Sequence, residues 1–233
     1  MVNSLKEPID DLRSYLVRVL TPSGGEVNGT GFLCHPDGYV LTCRHVIEDH
    51  LRHGCATVSL LYGEESQQAL ICEQFGCAEA DIAVLKMTQN SGPLLYLPLD
   101  TRWRVKLKDD LESFGYPAGA FTGGVSIRGQ VGGLTPTPID NVEVLPIVGL
   151  NMGNVNGGYS GAPVLNNATQ RVIGLLYAKQ TGTQAFFTPI DKLFPHWREL
   201  EAFHDVYQQL RRRLEQEAKQ KLCKALSVWP ESC

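Results

Sequence analysis

Residues Gly157–Val164 read GGYSGAPV, and they enclose one serine, Ser160, between glycines. A glycine loses more conformational entropy on folding than an alanine would, so the stretch needs a physical reason. One reason is a tight turn between two strands. The other is a serine whose hydroxyl and neighbouring N–H groups must face a bound substrate, through backbone angles that side chains disfavour. This stretch alone is compatible with both.

The stretch lies in a region of short strand-like segments separated by Gly, Pro, Asn and Asp. Such segments recur about every ten residues, and no long helical periodicity separates them. This pattern predicts an all-β architecture of antiparallel barrels or sandwiches, in preference to a parallel sheet with crossover helices. The predicted strands are 15–20, 30–34, 39–42, 57–62, 82–87, 125–131, 142–150, 162–165, 172–178 and 185–189.

After Pro189 the pattern changes, because apolar residues now recur at three- and four-residue steps between charged ones. This spacing predicts a long amphipathic helix within a C-terminal extension, residues 192–233. A helix of this kind is on the order of 45 Å long, more than one small β domain easily covers. It either packs on its own domain or projects toward a partner protein or a downstream domain. Its apolar positions are Leu193, Trp197, Leu200, Phe203, Tyr207, Leu210, Leu214, Ala218 and Leu222.

Charge and cysteine content narrow the classes of partner and compartment. The 233 residues carry a net charge of −4 with both signs interspersed, which argues against a nucleic-acid partner. No run approaches the roughly 20 apolar residues of a membrane span, and the acidic start MVNSLKEPIDDL is unlike an export signal. Seven cysteines, an odd number without a compact framework, predict reduced thiols and a cytoplasmic location.

A nucleophilic serine requires two further residues, a base and a group that orients the base. A serine hydroxyl needs a base to take its proton, and the base works best when a third group fixes its tautomer. His45 follows a β-run in GYVLTCRHVI, residues 38–47, which would hold its imidazole on a rigid element. Asp81 directly precedes the apolar run IAVLKM. An acid there is usually a strand-start cap, but a desolvated carboxylate beside an imidazole is what a catalytic triad requires.

A zinc site is an alternative use of His45. Cysteine and histidine side chains around it could bind zinc tetrahedrally. Their spacing matches none of the standard finger or ribbon patterns, and ligation by His45 would remove the base. We therefore predict neither a metal site nor a cofactor. The candidate ligands are Cys43, His45, His50, His53 and Cys55.

An α/β-hydrolase is the second alternative, because its nucleophile elbow reads G-x-S-x-G. In this chain the position after Gly161 is Ala162, and the strand–helix alternation of that fold is missing. Little chain remains after Ser160 for the acid and histidine that follow the nucleophile there. The sequence therefore disfavours this reading.

Three blocks, in this order, resemble the signature blocks of the trypsin-like (chymotrypsin-fold) serine peptidases. They are GTGFLCHPDGYVLTCRHVI (29–47), ADIAVLKM (80–87) and GGYSGAPVLN (157–166). The likeness is greatest to bacterial HtrA-type and intracellular trypsin-like domains and covers about residues 15–191. It implies two six-stranded antiparallel β-barrels with the site in the cleft between them. We expect a peptidase domain at 1–191, with barrel one at about 12–110 and barrel two at about 111–191.

The resemblance also implies roles for individual residues. His45 matches the general base, Asp81 the orienting acid and Ser160 the nucleophile, while the N–H groups of Gly158 and Ser160 match the oxyanion hole. The implied function is a serine endopeptidase acting on protein or peptide substrates. The alternative is a catalytically silent or latent trypsin-like module used for protein binding, such as the effector part of a larger sensor protein.

Two positions depart from the family pattern. Tyr159 stands where extracellular trypsins usually carry an aspartate that pairs with a newly cleaved N-terminus, so we expect no activation of that kind. Cys43 replaces a small alanine, and we interpret it as a small buried hydrophobic residue.

Specificity is predicted from the resemblance alone. Asn154, six residues before Ser160, would lie at the base of the specificity pocket. The strand with Leu176, Tyr177 and Ala178 would form the pocket wall and bind the substrate backbone. A neutral amide offers no ion pair to Arg or Lys, so we expect a preference that is not strictly trypsin-like.

Overall fold

The computed structural model describes residues 11–89, 92–102, 105–117, 123–148, 157–181 and 184–227. The N-terminal half of this chain forms a closed antiparallel barrel, barrel one, with strand order β1-β2-β3-β6-β5-β4. Its strands alternate between polar and apolar residues or are wholly buried, as expected when one face meets a core. They are β1 (Leu16–Leu20), β2 (Val27–His35), β3 (Tyr39–Cys43), β4 (Thr57–Tyr62), β5 (Glu65–Ile71) and β6 (Ile82–Met87).

Barrel two follows in the chain. Its sheet has the order β13-β12-β11-β7-β8-β10-β9, and a further pairing of β13 with β10 closes six of these strands into a ring. The short β9 flanks β10 outside the ring. The predicted architecture of two six-stranded barrels is confirmed. The strands are β7 (Asp110–Gly115), β8 (Val125–Val131), β9 (Thr137–Ile139), β10 (Val142–Val148), β11 (Pro163–Asn166), β12 (Arg171–Thr181) and β13 (Gln184–Pro189).

Three strands were absent from the sequence-based set: β5, β7 and β9. Strand β5 reads ESQQALI, and most of its side chains are exposed, so it lacks the apolar alternation that marks a strand in sequence. It forms because β4 pairs with it along its whole length and β6 pairs with its second half. Strand β7 is likewise held by β8 and β11 on its two sides.

The hydrophobic core joins the two barrels. The cluster that fills barrel one continues into Leu165 of β11 and into Val172 and Leu175 of β12. A separate cluster, which includes Leu176 and Phe187, fills barrel two. The barrels therefore share an apolar contact, and the cleft between them rests on it.

The C-terminal segment contains the helix α2 (Arg198–Ser227), which confirms the predicted amphipathic helix. Its first turns pack on barrel one, where Leu200, His204 and Gln208 are buried. Among the described side chains of this helix, three apolar ones are more than half exposed: Val206, Leu210 and Leu214. The first half of α2 therefore lies on its own domain, while a partner of the helix stays a prediction.

Short helices connect these elements. The helix α1 (Glu48–Arg52) is one α-helical turn after β3. Within the described ranges, 3-10 helices cover Leu12–Tyr15, Arg44–Ile47, Glu73–Phe75 and Ile190–Leu193. In the part of the chain that the structure describes, no helix combines the length and apolarity that a membrane crossing requires.

Candidate active site

His45 and Asp81 are brought together by the register of two strands. Strand β3 pairs antiparallel with β6, so that Cys43, the last residue of β3, lies opposite Ile82, the first residue of β6. The chain turns into a 3-10 helix directly after Cys43, and its buried Val46 and Ile47 anchor that turn in the core. His45 therefore lies at the edge of the barrel, beside Asp81, the residue that precedes β6.

The carboxylate of Asp81 binds His45 twice. Its Oδ2 lies 2.6 Å from Nδ1 of the imidazole, and its Oδ1 accepts the backbone N–H of His45 at 2.8 Å. The Asp81 carbonyl also accepts the N–H of Arg44 at 2.8 Å. Because a carboxylate only accepts hydrogen bonds, Nδ1 carries the proton, and in the neutral imidazole Nε2 is then an acceptor.

Burial differs between the two side chains. The Asp81 side chain is 9% exposed and that of His45 is 35% exposed, so the acid is enclosed while the imidazole reaches the cleft. Asp81 has a φ of 55°, a left-handed conformation that non-glycine residues adopt infrequently. The double hydrogen bond to His45 helps to hold this backbone conformation.

Ser160 lies in a turn directly before β11, and glycine is required on both sides of it. Gly158 and Gly161 have φ values of 95° and 86°, in the left-handed region. A Cβ on Gly161 would lie 2.2 Å from the Thr30 carbonyl oxygen and 2.4 Å from Thr42 Oγ1. The glycines thus allow the turn itself and its close approach to barrel one.

Thr30, on β2, connects this turn to barrel one, and the sequence reasoning missed it as a site residue. Its Oγ1 donates to the Gly158 carbonyl at 2.8 Å and accepts the N–H of Tyr116 at 2.9 Å. Its N–H donates to the Ser160 carbonyl at 2.9 Å, and its own carbonyl accepts from Thr42 Oγ1 at 2.8 Å. A signal was present, since Thr30 is the polar residue of the GTGF run in the first block.

Strand β12 completes the link between the serine turn and β3. The carbonyl of Leu176 accepts the N–H of Gly161 at 2.9 Å and the thiol of Cys43 at 3.5 Å. The Leu176 N–H donates to the Ala162 carbonyl at 2.8 Å. The structure thus joins His45 and Asp81 directly and holds the Ser160 turn against the end of β3, two residues before His45.

Tyr177 packs on the imidazole of His45. The two ring centroids are 5.4 Å apart at an interplanar angle of 75°, and the phenol donates to Asp140 Oδ2 at 3.2 Å. Burial, together with the charge of Asp81, raises the pKa of Tyr177 to about 12, so the phenol stays a neutral donor. Tyr177 therefore limits the movement of the His45 ring.

The other predicted pocket residues are placed as follows. Leu176 is fully buried in β12, and Ala178 is partly exposed. Asn154 lies outside the described residues. A cleft of about 620 Å³ opens beside His45. Its lining is mixed in charge and includes Arg44, Glu48, Arg52, Asp81, Asp140 and Tyr177.

Cys43 is fully buried, and burial raises the pKa of its thiol well above the ordinary value, as does the nearby charge of Asp81. Its Sγ lies within 4.8 Å of donor atoms of His45 and Asp81. The zinc alternative combined Cys43 and His45 with His50, His53 and Cys55. Among the described residues, no three of those five candidate ligands converge on one point.

Comparison with known proteins agrees with this architecture. A family model described as a trypsin-like peptidase domain matches residues 29–175. A Chlamydia pneumoniae protein named "Probable periplasmic serine endoprotease DegP-like" is 29% identical over 164 residues, which are 69% of this chain. The chain spans only 30% of the length of that relative.

Two solved structures share the fold. Rv3671c from Mycobacterium tuberculosis, in the inactive form of a serine-to-alanine mutant, is 18% identical with a TM-score of 0.59, covering 82% of this chain and 88% of that one. A serine endoprotease from Yersinia pestis is 19% identical with a TM-score of 0.60, covering 82% of this chain and 64% of that one. The matched family model spans well over half of the sequence, and the chain belongs to the trypsin-like peptidase domain family.

Proposed function

We propose that this chain is a serine endopeptidase that hydrolyses peptide bonds through an acyl-enzyme on Ser160. The observation that carries the proposal is the 2.6 Å contact between His45 Nδ1 and Asp81 Oδ2, held beside a glycine-framed serine turn. Membership of the trypsin-like peptidase family supports the peptide bond as the substrate.

His45 acts as the general base in the first step. Nε2, left as the acceptor by the contact with Asp81, takes the proton of Ser160 Oγ while Oγ attacks the substrate carbonyl carbon. The electron pair of the C=O bond moves to the carbonyl oxygen. The Asp81 carboxylate stabilises the imidazolium that forms and keeps it in the orientation that receives the proton.

The backbone of the serine turn stabilises the oxyanion. The N–H groups of Gly158 and Ser160 would donate to the negative oxygen, as preorganised donors do in acyl transfer. Thr30 holds the intervening peptide group through the Gly158 carbonyl, which limits rotation of both donors. The C–N bond then breaks as His45 protonates the leaving amine. Finally a water, activated by the same imidazole, attacks the acyl-enzyme and releases the product with Ser160 restored.

A fluorophosphonate probe tests the nucleophile directly. We expect the purified wild-type chain to be labelled at Ser160, located by mass spectrometry, and expect Ser160→Ala and His45→Ala to lose labelling. Ser66→Ala, a change at an exposed serine of β5, is the matched control and should label like wild type. A folded wild-type chain that takes no label would overturn the proposal in favour of the silent or latent binding module.

We also propose that the chain works with reduced thiols in the cytoplasm. Five cysteines in the described part of the chain are free, and Cys34 and Cys43 are fully buried. Fractionation of the native cells with an antibody against this chain is the test. Recovery in a periplasmic or secreted fraction would contradict the location without affecting the catalytic proposal.

A further inference from the structure

A second group of side chains that could hold a metal ion lies outside the candidate active site. It consists of Cys77 and Glu79, in the turn before β6, and His196, in the segment that leads into α2. The turn is closed by two hydrogen bonds of 2.9 Å between Cys77 and Ile82, and Asp81 N–H donates to the Ala78 carbonyl at 3.1 Å. The group therefore shares its turn with the acid of the proposed triad.

The three donor atoms are spaced as metal ligands are. The thiol of Cys77, a carboxylate oxygen of Glu79 and a ring nitrogen of His196 all lie within 4.8 Å of one another. Cys77 Sγ is 3.6 Å from Glu79 Oε2. In a tetrahedral zinc site, bonds of about 2.0–2.3 Å place neighbouring donors about 3.5 Å apart. Side-chain rotations that move the donor atoms by about 1 Å would thus complete the tetrahedral geometry.

The surroundings of these three side chains suit a cation whose fourth coordination position is open to solvent. Glu79 and His196 are exposed, which gives the ion a path from solvent, while Cys77 is 5% exposed and anchored in the core. Lys192, whose charge interacts with Cys77, is engaged by Glu143 at 2.9 Å.

The ligand types select the metal. A thiolate and an imidazole favour zinc over the oxygen-preferring magnesium and calcium, and the carboxylate is a common third ligand. Zinc takes the thiolate, so binding transfers the Cys77 proton to solvent.

We propose that Cys77, Glu79 and His196 bind a zinc-class divalent ion, with water as the fourth ligand, and that the ion ties the Asp81 turn to the segment entering α2. The aromatic contact next to the site supports this linkage, since Trp197 stacks on Phe75 with ring centroids 4.6 Å apart. Metal binding would stabilise both the acid of the active site and the docking of the helix.

Titration of the reduced, metal-free full chain with cobalt and with zinc tests the site. Cobalt bound to a thiolate gives a sulfur-to-metal charge-transfer band in the near ultraviolet, so this band reports Cys77 ligation. We expect one equivalent of metal, the cobalt band, and a higher melting temperature with zinc. Cys77→Ser should lose the band, and His196→Gln and Glu79→Gln should weaken binding by at least about tenfold.

Two controls keep the result specific. Cys72→Ser changes a neighbouring thiol that is not one of the three ligands and should bind like wild type. Cys43, His45 and Asp81 also offer donors within 4.8 Å, so the titration is repeated in His45→Ala, which should still bind one equivalent. Absence of the cobalt band, unchanged affinity in His196→Gln, or loss of binding in His45→Ala would each overturn the proposal. None of these readouts depends on peptidase activity.

Discussion

Thr30 has no chemical role in the proposed reaction, yet its polar atoms bind the backbone on both sides of Ser160. Its Oγ1 and N–H reach Gly158 and Ser160, which belong to barrel two, from a strand of barrel one. Asp81 acts on His45 in a comparable way, because its second oxygen binds the His45 backbone and so fixes the carboxylate plane. At the scale of single residues, the site depends on side chains that orient other groups.

We expect Asp81→Asn to lower the acylation rate by about 10⁴-fold. The His45 backbone N–H requires an oxygen opposite it, so the asparagine NH₂ group would face Nδ1 and donate to it. The imidazole proton would then move to Nε2, which could no longer accept from Ser160. Single-turnover kinetics with an activated ester measure this, and Asp49→Asn, on an exposed acid of α1, is the control. A wild-type rate in Asp81→Asn would contradict the orienting role.

Thr30→Val keeps the shape of the side chain but removes its hydroxyl. The Gly158 carbonyl and the Tyr116 N–H would be left buried without this partner, which costs about 1–3 kcal/mol in the free energy of unfolding. We also expect fluorophosphonate labelling to slow by at least about tenfold. The reason is that the turn with Gly158 and Ser160 loses this hydrogen bond to barrel one. Thr30→Ser should restore the labelling rate. Equal rates in the valine and serine variants would show that the hydroxyl does not position the turn.

At the scale of elements, the docking of α2 depends on buried polar side chains as well as apolar ones. His204 is fully buried; its Nε2 lies 2.9 Å from the Cys34 carbonyl, and its Nδ1 accepts the Leu99 N–H at 3.4 Å. Gln208, one turn later, donates to the Leu99 carbonyl at 3.0 Å. These bonds require a neutral imidazole, because Nδ1 accepts a hydrogen bond while Nε2 donates one to the Cys34 carbonyl.

This arrangement predicts a dependence of stability on pH. Burial lowers the pKa of His204 from 6.5 to about 3, so between these values the unfolded chain takes up a proton that the folded chain does not. The free energy of unfolding should therefore fall as pH falls below about 6.5, by up to about 1.4 kcal/mol per pH unit from this group. Urea unfolding at about pH 7 and about pH 5 measures it.

His204→Gln is the matched variant, since its amide can donate to Cys34 but does not titrate. We expect the loss of stability between the two pH values to be smaller in this variant by about 2 kcal/mol. His53→Gln, on an exposed histidine after α1, should retain the wild-type dependence. Identical pH dependence in His204→Gln and wild type would contradict a buried neutral His204.

At the scale of the whole molecule, part of barrel two packs in the apolar core of barrel one. Leu165, Val172 and Leu175 belong to barrel two by strand but pack in the cluster of barrel one. Ile190 and Leu193, which follow β13, join the same cluster. The cleft beside His45 and Asp81 is also lined by Asp140, Val142 and Tyr177 of barrel two, so neither barrel would complete it alone.

We expect the full chain to unfold in one cooperative transition. Separation of the barrels would expose the shared cluster and break the Thr30 bonds, so neither barrel should persist after the other has unfolded. Differential scanning calorimetry tests this through the ratio of calorimetric to van't Hoff enthalpy, which should be about one. Two resolved transitions, or a folded fragment of residues 11–102 alone, would contradict it.

Much of the fold and of the candidate site could be predicted from local patterns. His45 and Asp81 each adjoin a buried strand, and Ser160 is framed by glycines, so each has a recognisable neighbourhood in sequence. Strand β5 and Thr30 had weaker signals. The polar sequence of β5 becomes a strand only through its neighbours, and the importance of Thr30 depends on Ser160, which is far away in the chain.

The sequence by itself determined the all-β class, the amphipathic helix and the residue types of the site, because periodicity, glycine placement and flanking residues are properties of neighbours in the chain. Only the tertiary structure decided which distant groups meet: Thr30 with the serine turn, His204 with Cys34, and His196 with Cys77 and Glu79. The physical reason is that these contacts follow from barrel closure and helix docking, which place residues side by side without leaving any regular spacing between them in the chain.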